Sequence, residues 1–454
     1  MNIKDLRLKY PEFIYESFKH ELNGCDLHIS FHFSLNPDIV FRPSIVIRNI
    51  DTSIYKNLEQ KVIDNLIFHL GLIEMLSYWK ATSSPVITVK AGYLDDNQIT
   101  WWSKLLIKGM GEFFYLNKID FTSPDFVVIK ADSNIKFLQK AEISNLKKLV
   151  PLSGGKDSTV TLNLLKELSD IGLFMLNPTK ATRDIAAQAK VSNQVLVDRN
   201  IDSRLIELNA EGYLNGHTPF SAYLAFLSLF CAYLFDYSGI VFSNERSSNE
   251  SNVRYLGYDI NHQYSKSFEF ENAFREYNND YLSSIDYYSF LRPLYEIQIS
   301  KLAASFPLDL PIIKSCNRGQ KENIWCGDCP KCLSTYILLY PFVETKQIVG
   351  IFGKDLYEDV LLIDLLDSLV DETKVKPFEC VGTYDELKAG LYLSINKYNS
   401  DLPVLLKRAQ EVLKRDSREW KIVAEGLMSS WDENNNAPEN LSQLLKGELN
   451  AQND

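Results

Sequence analysis

The sequence predicts an α/β protein built on a parallel, doubly wound sheet, preceded by an α+β segment and followed by a mainly helical extension. Three observations carry this. Between residues 146 and 345, short apolar runs alternate with helical stretches, the pattern of strands joined by crossover helices. The first of those runs is followed by a glycine loop and then by a helix. Residues 1–145 set β-rich runs side by side instead, and residues 346–454 are patterned mainly as helix.

Length and composition bound the rest. A chain of 454 residues exceeds one ordinary domain, so three units are expected: 1–145, 146–345 and 346–454. Hydrophobic residues at 45% and charged residues at 24% exclude wholesale disorder. Lys plus Arg number 48 against 59 Asp plus Glu, and the net charge of −11 argues against a nucleic-acid partner. The charged N-terminus lacks an apolar core, so no signal peptide is expected. The longest uncharged apolar run, 220–235, has 16 residues, short of the roughly 20 that span a bilayer. It reads as a buried helix, and the expected setting is the cytoplasm, with no membrane partner.

In the first unit, 26–35 and 39–49 are β-rich and joined by the turn signal Asn36-Pro37-Asp38, which suggests a hairpin. Leu58, Val62, Leu66, Leu70, Ile73 and Leu76 give 57–79 a helical period. Residues 85–94 and 125–130 read as strands and 100–117 as a helix. The second unit alternates strand 149–152, helix 157–168, strand 173–176, helix 182–190, strand 194–198, helix 220–235 and strand 240–244. Ligands of such a sheet sit beyond the carboxyl ends of its strands. In the third unit, 351–380 holds eight acids and three bases and reads as a solvated face. The Asn-rich stretch 432–438 reads as a loose linker before a short terminal helix.

Ser153-Gly154-Gly155-Lys156-Asp157-Ser158 is the strongest local signal. Two glycines let backbone approach an anion, and the helix that follows points free N–H groups at it. Ser153 and Ser158 add hydroxyls and Lys156 adds charge; Asp157 suits Mg²⁺ or a helix cap. The spacing matches neither Walker A nor the dinucleotide G-x-G-x-x-G. A tight turn with an Asp cap is the bland alternative.

Cys316, Cys326, Cys329 and Cys332 supply four thiolates at a spacing that suits tetrahedral structural zinc. An iron–sulfur cluster is the rival, disfavoured because the fourth Cys lies upstream. Asn244, Glu245 and Arg246 close a strand at the expected ligand edge. His217 precedes the buried helix, and His262 and Lys266 lie in a polar loop.

SGGKDS resembles the signature of the PP-loop ATP pyrophosphatases, whose fold is of the adenine nucleotide α-hydrolase kind. The resemblance implies cleavage of ATP to AMP and pyrophosphate, with activation of an oxygen by adenylation. Further segments narrow it: Gly109 to Phe113, Asn215-Gly216-His217, Phe242 to Ser247, Asn261 to Lys266, Tyr287 to Pro293, Ser315 to Arg318, Trp325 to Cys332, Ile351 to Gly353 and Lys376 to Gly382. In this order they resemble the MurL family of UDP-N-acetylmuramoyl-L-alanyl-L-glutamate epimerases, from about residue 100 to 385, with Tyr264 in place of an expected Trp. The resemblance implies inversion of the terminal L-Glu of UDP-MurNAc-L-Ala-L-Glu, dependent on ATP and Mg²⁺.

The loop fits that chemistry. A carboxylate resists loss of its α proton, because the product carries adjacent negative charges; adenylation removes one of them. An acid–base pair at Cα is then needed, and His217, His262, Glu245, Lys266 and Cys380 are all candidates. Arg246 and Arg318 are candidate clamps for diphosphate or carboxylate. Three other readings stay open: an amidating or thiolating enzyme acting on a nucleobase or tRNA, a non-catalytic nucleotide module, and an epimerase of another peptide.

Overall fold

The computed structural model describes residues 2–143, 145–167, 170–398, 401–413 and 417–452. Among them, the strands are β1 (Glu12–Asn23), β2 (Asp26–Leu35), β3 (Ile39–Phe41), β4 (Ser44–Ile47), β5 (Val86–Val89), β6 (Val128–Ala131), β7 (Lys148–Pro151), β8 (Ile171–Leu176), β9 (Gln194–Asn200), β10 (Gly239–Phe242), β11 (Val253–Tyr255), β12 (Tyr258–Ile260) and β13 (Asp286–Ser289). Eleven of these form one sheet, in the order β13-β10-β7-β8-β9-β4-β2-β1-β5-β6, with β3 paired to β2. β13, β10, β7, β8 and β9 are mutually parallel, as the alternating apolar runs predict. β11 and β12 make a separate hairpin.

The sheet does not stop near residue 146. β4 pairs antiparallel with β9, Ser44 opposite Asn200 and Ile47 opposite Val197. The early strands and the parallel block therefore share one hydrogen-bonded surface. The expected hairpin partners do pair: β2 lies antiparallel to both β3 and β4. β1 went unanticipated. Its outer half spreads Lys19, His20 and Glu21 through the strand and hides the period of two.

Helix 220–234 is buried along nearly its whole length, as its uniformly apolar sequence requires. Phe226 stacks on Trp102, with ring centroids 5.1 Å apart, and meets Phe274 edge-on at 5.0 Å. The helix expected over 157–168 runs from Lys156 to Leu165; Leu168 lies outside the described residues. From Pro330 onward the described residues are mainly helical, the last helix being Glu439–Ala451. No helix is long and apolar enough to cross a membrane among the described residues.

The stretch 432–438 is not the loose linker its composition suggests. Asp432 pairs with Arg246 at 3.4 Å. The Asn436 amide donates to Glu271 Oε1 at 3.0 Å and to Asn272 Oδ1 at 2.8 Å. Asn-rich sequence lacks apolar periodicity, yet its amides found fixed partners.

Candidate active site

The parallel block reverses direction at β7. β8 and β9 lie on one side of it, β10 and β13 on the other. Such a switch point opens a crevice at the carboxyl ends of the strands, where two loops part to opposite faces. The glycine loop leaves β7 there, Asn244 and Glu245 leave β10, and Arg292 and Glu296 follow β13.

Hydroxyl groups brace the loop. Ser158 Oγ accepts from Ser153 N at 3.3 Å and donates to Gly155 O at 3.2 Å. Thr182 Oγ1 donates to Ser153 O at 3.0 Å. Gly154 takes a φ of +82°, and a Cβ there would lie 2.8 Å from Thr182 N, so glycine is required. The segment before Cys316 forms the second wall: Lys314 N donates to Gly154 O at 3.0 Å and Lys156 N to Ser315 Oγ at 3.2 Å.

Below the loop lies a cluster of three lysines and three carboxylates. Lys156 is only 2% exposed; its Nζ stands 2.5 Å from Asp157 Oδ1 and 3.8 Å from Glu296 Oε1. Lys331 Nζ reaches the same Glu296 oxygen at 3.2 Å. Burial pushes the Asp157 carboxyl up, but Lys156, Lys331 and Lys266 together hold it below its ordinary value. Burial and the neighbouring acids push Glu245 upward, against the pull of Lys266. Asp157 itself is largely covered, its side chain 23% exposed, beside the buried Lys156 that it neutralises.

Lys266 joins this cluster to a second one. Its Nζ donates to Cys380 Sγ at 3.2 Å, and its charge also acts on Glu245 and Asp157. His262 hydrogen-bonds Glu112 Oε2 through Nδ1 at 2.5 Å, and its imidazole lies beside Cys380. His217 lies beside it, with ring centroids 4.4 Å apart and its Nδ1 3.7 Å from the same Glu112 oxygen. Burial lowers His262, but Cys380 and Glu112 outweigh it and lift the imidazole to about 9. Burial and the charge on His262 drive His217 down to about 3. Burial raises the Cys380 thiol, and Lys266 and His262 reverse that, leaving it at about 6.

The five sequence candidates for acid–base work thus fall in one connected cluster. The arginine candidates do not join it. Arg246 turns away to Ser430 and Asp432 and covers the Tyr295 ring at 4.4 Å. Its neighbour Glu245, in the loop after β10, is buried in the charge cluster instead, while Arg246 opens a 3-10 turn over Arg246–Asn249. Arg318 is 63% exposed on its side chain, 3.6 Å from Asp328. Asn244 donates to Ser289 Oγ at 3.1 Å. Sequence reading gave no role to Glu112, Arg292, Glu296 or Lys331. The available signal was lone charges inside otherwise apolar segments.

The thiols of Cys316, Cys326, Cys329 and Cys332 converge within 4.8 Å of one another. Cys316 and Cys329 sulfurs are 4.0 Å apart and Cys326 and Cys332 sulfurs 3.6 Å apart. A tetrahedral ZnS₄ unit with bonds near 2.3 Å needs edges of about 3.8 Å, so the donor set is compatible with structural zinc. Gly319 N donates to Cys316 Sγ at 3.1 Å, a bond that suits a metal-bound thiolate.

Comparison with known proteins agrees with the ordered segments. The MurL N-terminal domain family matches residues 5–290, well over half of the chain. The chain belongs to the MurL family. The MurL C-terminal domain family matches residues 312–421. A UDP-N-acetyl-alpha-D-muramoyl-L-alanyl-L-glutamate epimerase from a Micromonospora species is 32% identical over 333 residues, covering 71% of this chain and 73% of the relative. The protein of that name from Xanthomonas oryzae pv. oryzae is 30% identical over 357 residues, 75% of this chain and 76% of the relative. No solved structure matches. MurL membership makes the chain an isomerase of the epimerase kind, related to peptidoglycan precursor chemistry.

Proposed function

We propose that this MurL protein inverts the terminal L-Glu of UDP-MurNAc-L-Ala-L-Glu to D-Glu, through an acyl adenylate made from ATP on a PP-loop. The observation that carries this reading is the shared charge cluster. Lys266 acts on Asp157 of the glycine loop and on Cys380 in the thiol–histidine group. One site therefore offers an anion cradle and a proton-transfer group side by side. The cradle stands at the N-terminus of helix Lys156–Leu165, whose first amides favour phosphate.

In this reading the substrate carboxylate attacks the α phosphorus of ATP, and pyrophosphate leaves towards the glycine loop. Asp157 would hold Mg²⁺, whose chemistry is to neutralise phosphate charge. The activated Cα then loses its proton to a side-chain base and regains one on the opposite face. Water finally releases AMP. A protein that consumes ATP and a nucleotide-linked peptide works in the cytoplasm.

The test is incubation with ATP, Mg²⁺ and UDP-MurNAc-L-Ala-L-Glu in D₂O. AMP, pyrophosphate and D-Glu carrying solvent deuterium at Cα should appear together. ADP as product, or D-Glu without deuterium, would sink the mechanism. Turnover of a nucleobase acid or of tRNA instead would favour an amidating or thiolating enzyme.

We also propose that the four thiolates hold one structural zinc. Elemental analysis should find one zinc per chain and no iron. Cys329→Ser should lower the melting temperature and weaken ATP cleavage, since Ser315 beside Cys316 walls the glycine loop. Visible absorbance with bound iron would replace zinc by a cluster.

A further inference from the structure

Glu112, His262 and Cys380 stand in series. Glu112 Oε2 is 2.5 Å from His262 Nδ1, and the His262 imidazole lies beside the Cys380 sulfur and favours its thiolate. A carboxylate orients an imidazole, and the imidazole faces a thiol; this is the arrangement that holds a sulfur ready to exchange a proton. Lys266 adds a second cation 3.2 Å from the sulfur. Three separate parts of the fold meet to make it. Glu112 comes from helix Gly111–Leu116, His262 and Lys266 from the loop after β12, and Cys380 from the segment before helix Tyr384–Ile395. That segment is pinned at both ends: Lys376 bonds Glu250 at 2.6 Å, and Glu379 accepts from Asn317 next to the Cys316 thiol.

The other candidates for the Cα base fail on their surroundings. Lys266 is kept protonated by Cys380 and Glu245, although burial works against its charge. His262 is bonded to Glu112 at Nδ1 and is held protonated by Glu112 and Cys380 together. His217 is a poor base, since burial and the adjoining imidazolium disfavour its protonation. Glu245 faces Lys266 and Lys331 inside the acid–lysine cluster rather than the imidazoles.

We infer that Cys380 is the catalytic residue that takes the Cα proton from one face of the activated glutamate, and that Glu112 is a positioning residue that acts on it through His262. This rests on the epimerase reading above. As the Cα–H bond breaks, the S–H bond forms and the electron pair moves onto the carbonyl oxygen of the acyl adenylate. A proton of solvent origin then returns to the opposite face, and the thiol gives its own proton back to water.

The groups facing the Cys380 sulfur are Lys266, His262, Lys331 and the Glu379 carboxyl, with Glu112 and His217 behind His262. Activity should rise as pH passes about 6, where Cys380 loses its proton, and fall beyond about 9, where His262 loses its own. Cys380→Ala and Cys380→Ser should lose deuterium wash-in by about 10²–10⁴-fold while still releasing AMP with substrate, which also shows that they fold. Glu112→Gln should move the lower limb of the pH profile upward, because a weaker imidazolium stabilises the thiolate less. Glu112→Asp should restore part of the shift.

A measurement without substrate separates this idea from the epimerase reading. Ultraviolet thiolate absorbance, wild type minus Cys380→Ser, should titrate near 6. If the wild type shows that titration but never inverts the muramoyl dipeptide, the epimerase reading has failed and the thiolate has not. Wash-in retained by Cys380→Ala would overturn the assignment. So would an unshifted profile in Glu112→Gln, or a substrate acyl group found on Cys380 and discharged by hydroxylamine, which would make the sulfur a nucleophile.

Discussion

Asp157→Asn should lower pyrophosphate release by roughly 10²–10³-fold, the usual loss when one preorganised charge is removed from a polar active site. The substitution keeps the side chain's shape. Lys156 would still have Glu296 within 3.8 Å, and Lys331 would keep the same carboxylate at 3.2 Å. The fold should therefore survive, with a melting temperature near that of the wild type. Deuterium wash-in should fall in parallel, since no acyl adenylate would be available to acidify Cα. Equal loss of both readouts places Asp157 at the ATP step. Full pyrophosphate release by the variant would remove the glycine loop from the chemistry.

The largest stability effect is expected at Arg292. Its side chain is 0% exposed and pairs with Glu271, itself 1% exposed, at 3.1 Å. It also donates to the carbonyls of Glu245 at 2.7 Å and Lys266 at 2.5 Å. Arg292→Met removes the cation that balances a buried carboxylate and takes one donor from each of two carbonyls, and breaking such a buried pair costs about 3–5 kcal/mol. Urea unfolding should show a lower midpoint with little change in slope. Arg292→Met combined with Glu271→Gln should recover part of the stability, because the uncompensated charge is gone. Activity should stay low in the double variant, since the backbone holding Glu245 and Lys266 has lost its anchor. An unchanged midpoint in Arg292→Met would show that the pair contributes nothing net.

Much of this molecule is local, and local information is legible. The alternation of β7 to β10 with helices follows from apolar runs of fixed period, each of which must bury one face. The SGGKDS loop needs only a strand before it and a helix after it. The four cysteines lie within 17 residues, a span short enough for turn geometry to bring the sulfurs together. These features depend on neighbours a few positions away, so one sequence carries them.

What the sequence determined by itself was the parallel sheet, the glycine loop between a strand and a helix, the thiol cluster and a set of polar residues worth watching. The tertiary structure decided how that set divides. Glu112 and Cys380 are 268 positions apart, and only the packing of helix Gly111–Leu116 against the loop after β12 brings them to one histidine. Arg246 and Glu245 are adjacent in sequence, yet the turn that begins at Arg246 sends one to the C-terminal segment and leaves the other in the charge cluster. The join of β4 to β9 depends on hydrogen bonds between backbone groups, which side-chain patterning does not encode. Periodicity records which face of an element is buried; which distant charge waits on the other side is set by the fold as a whole.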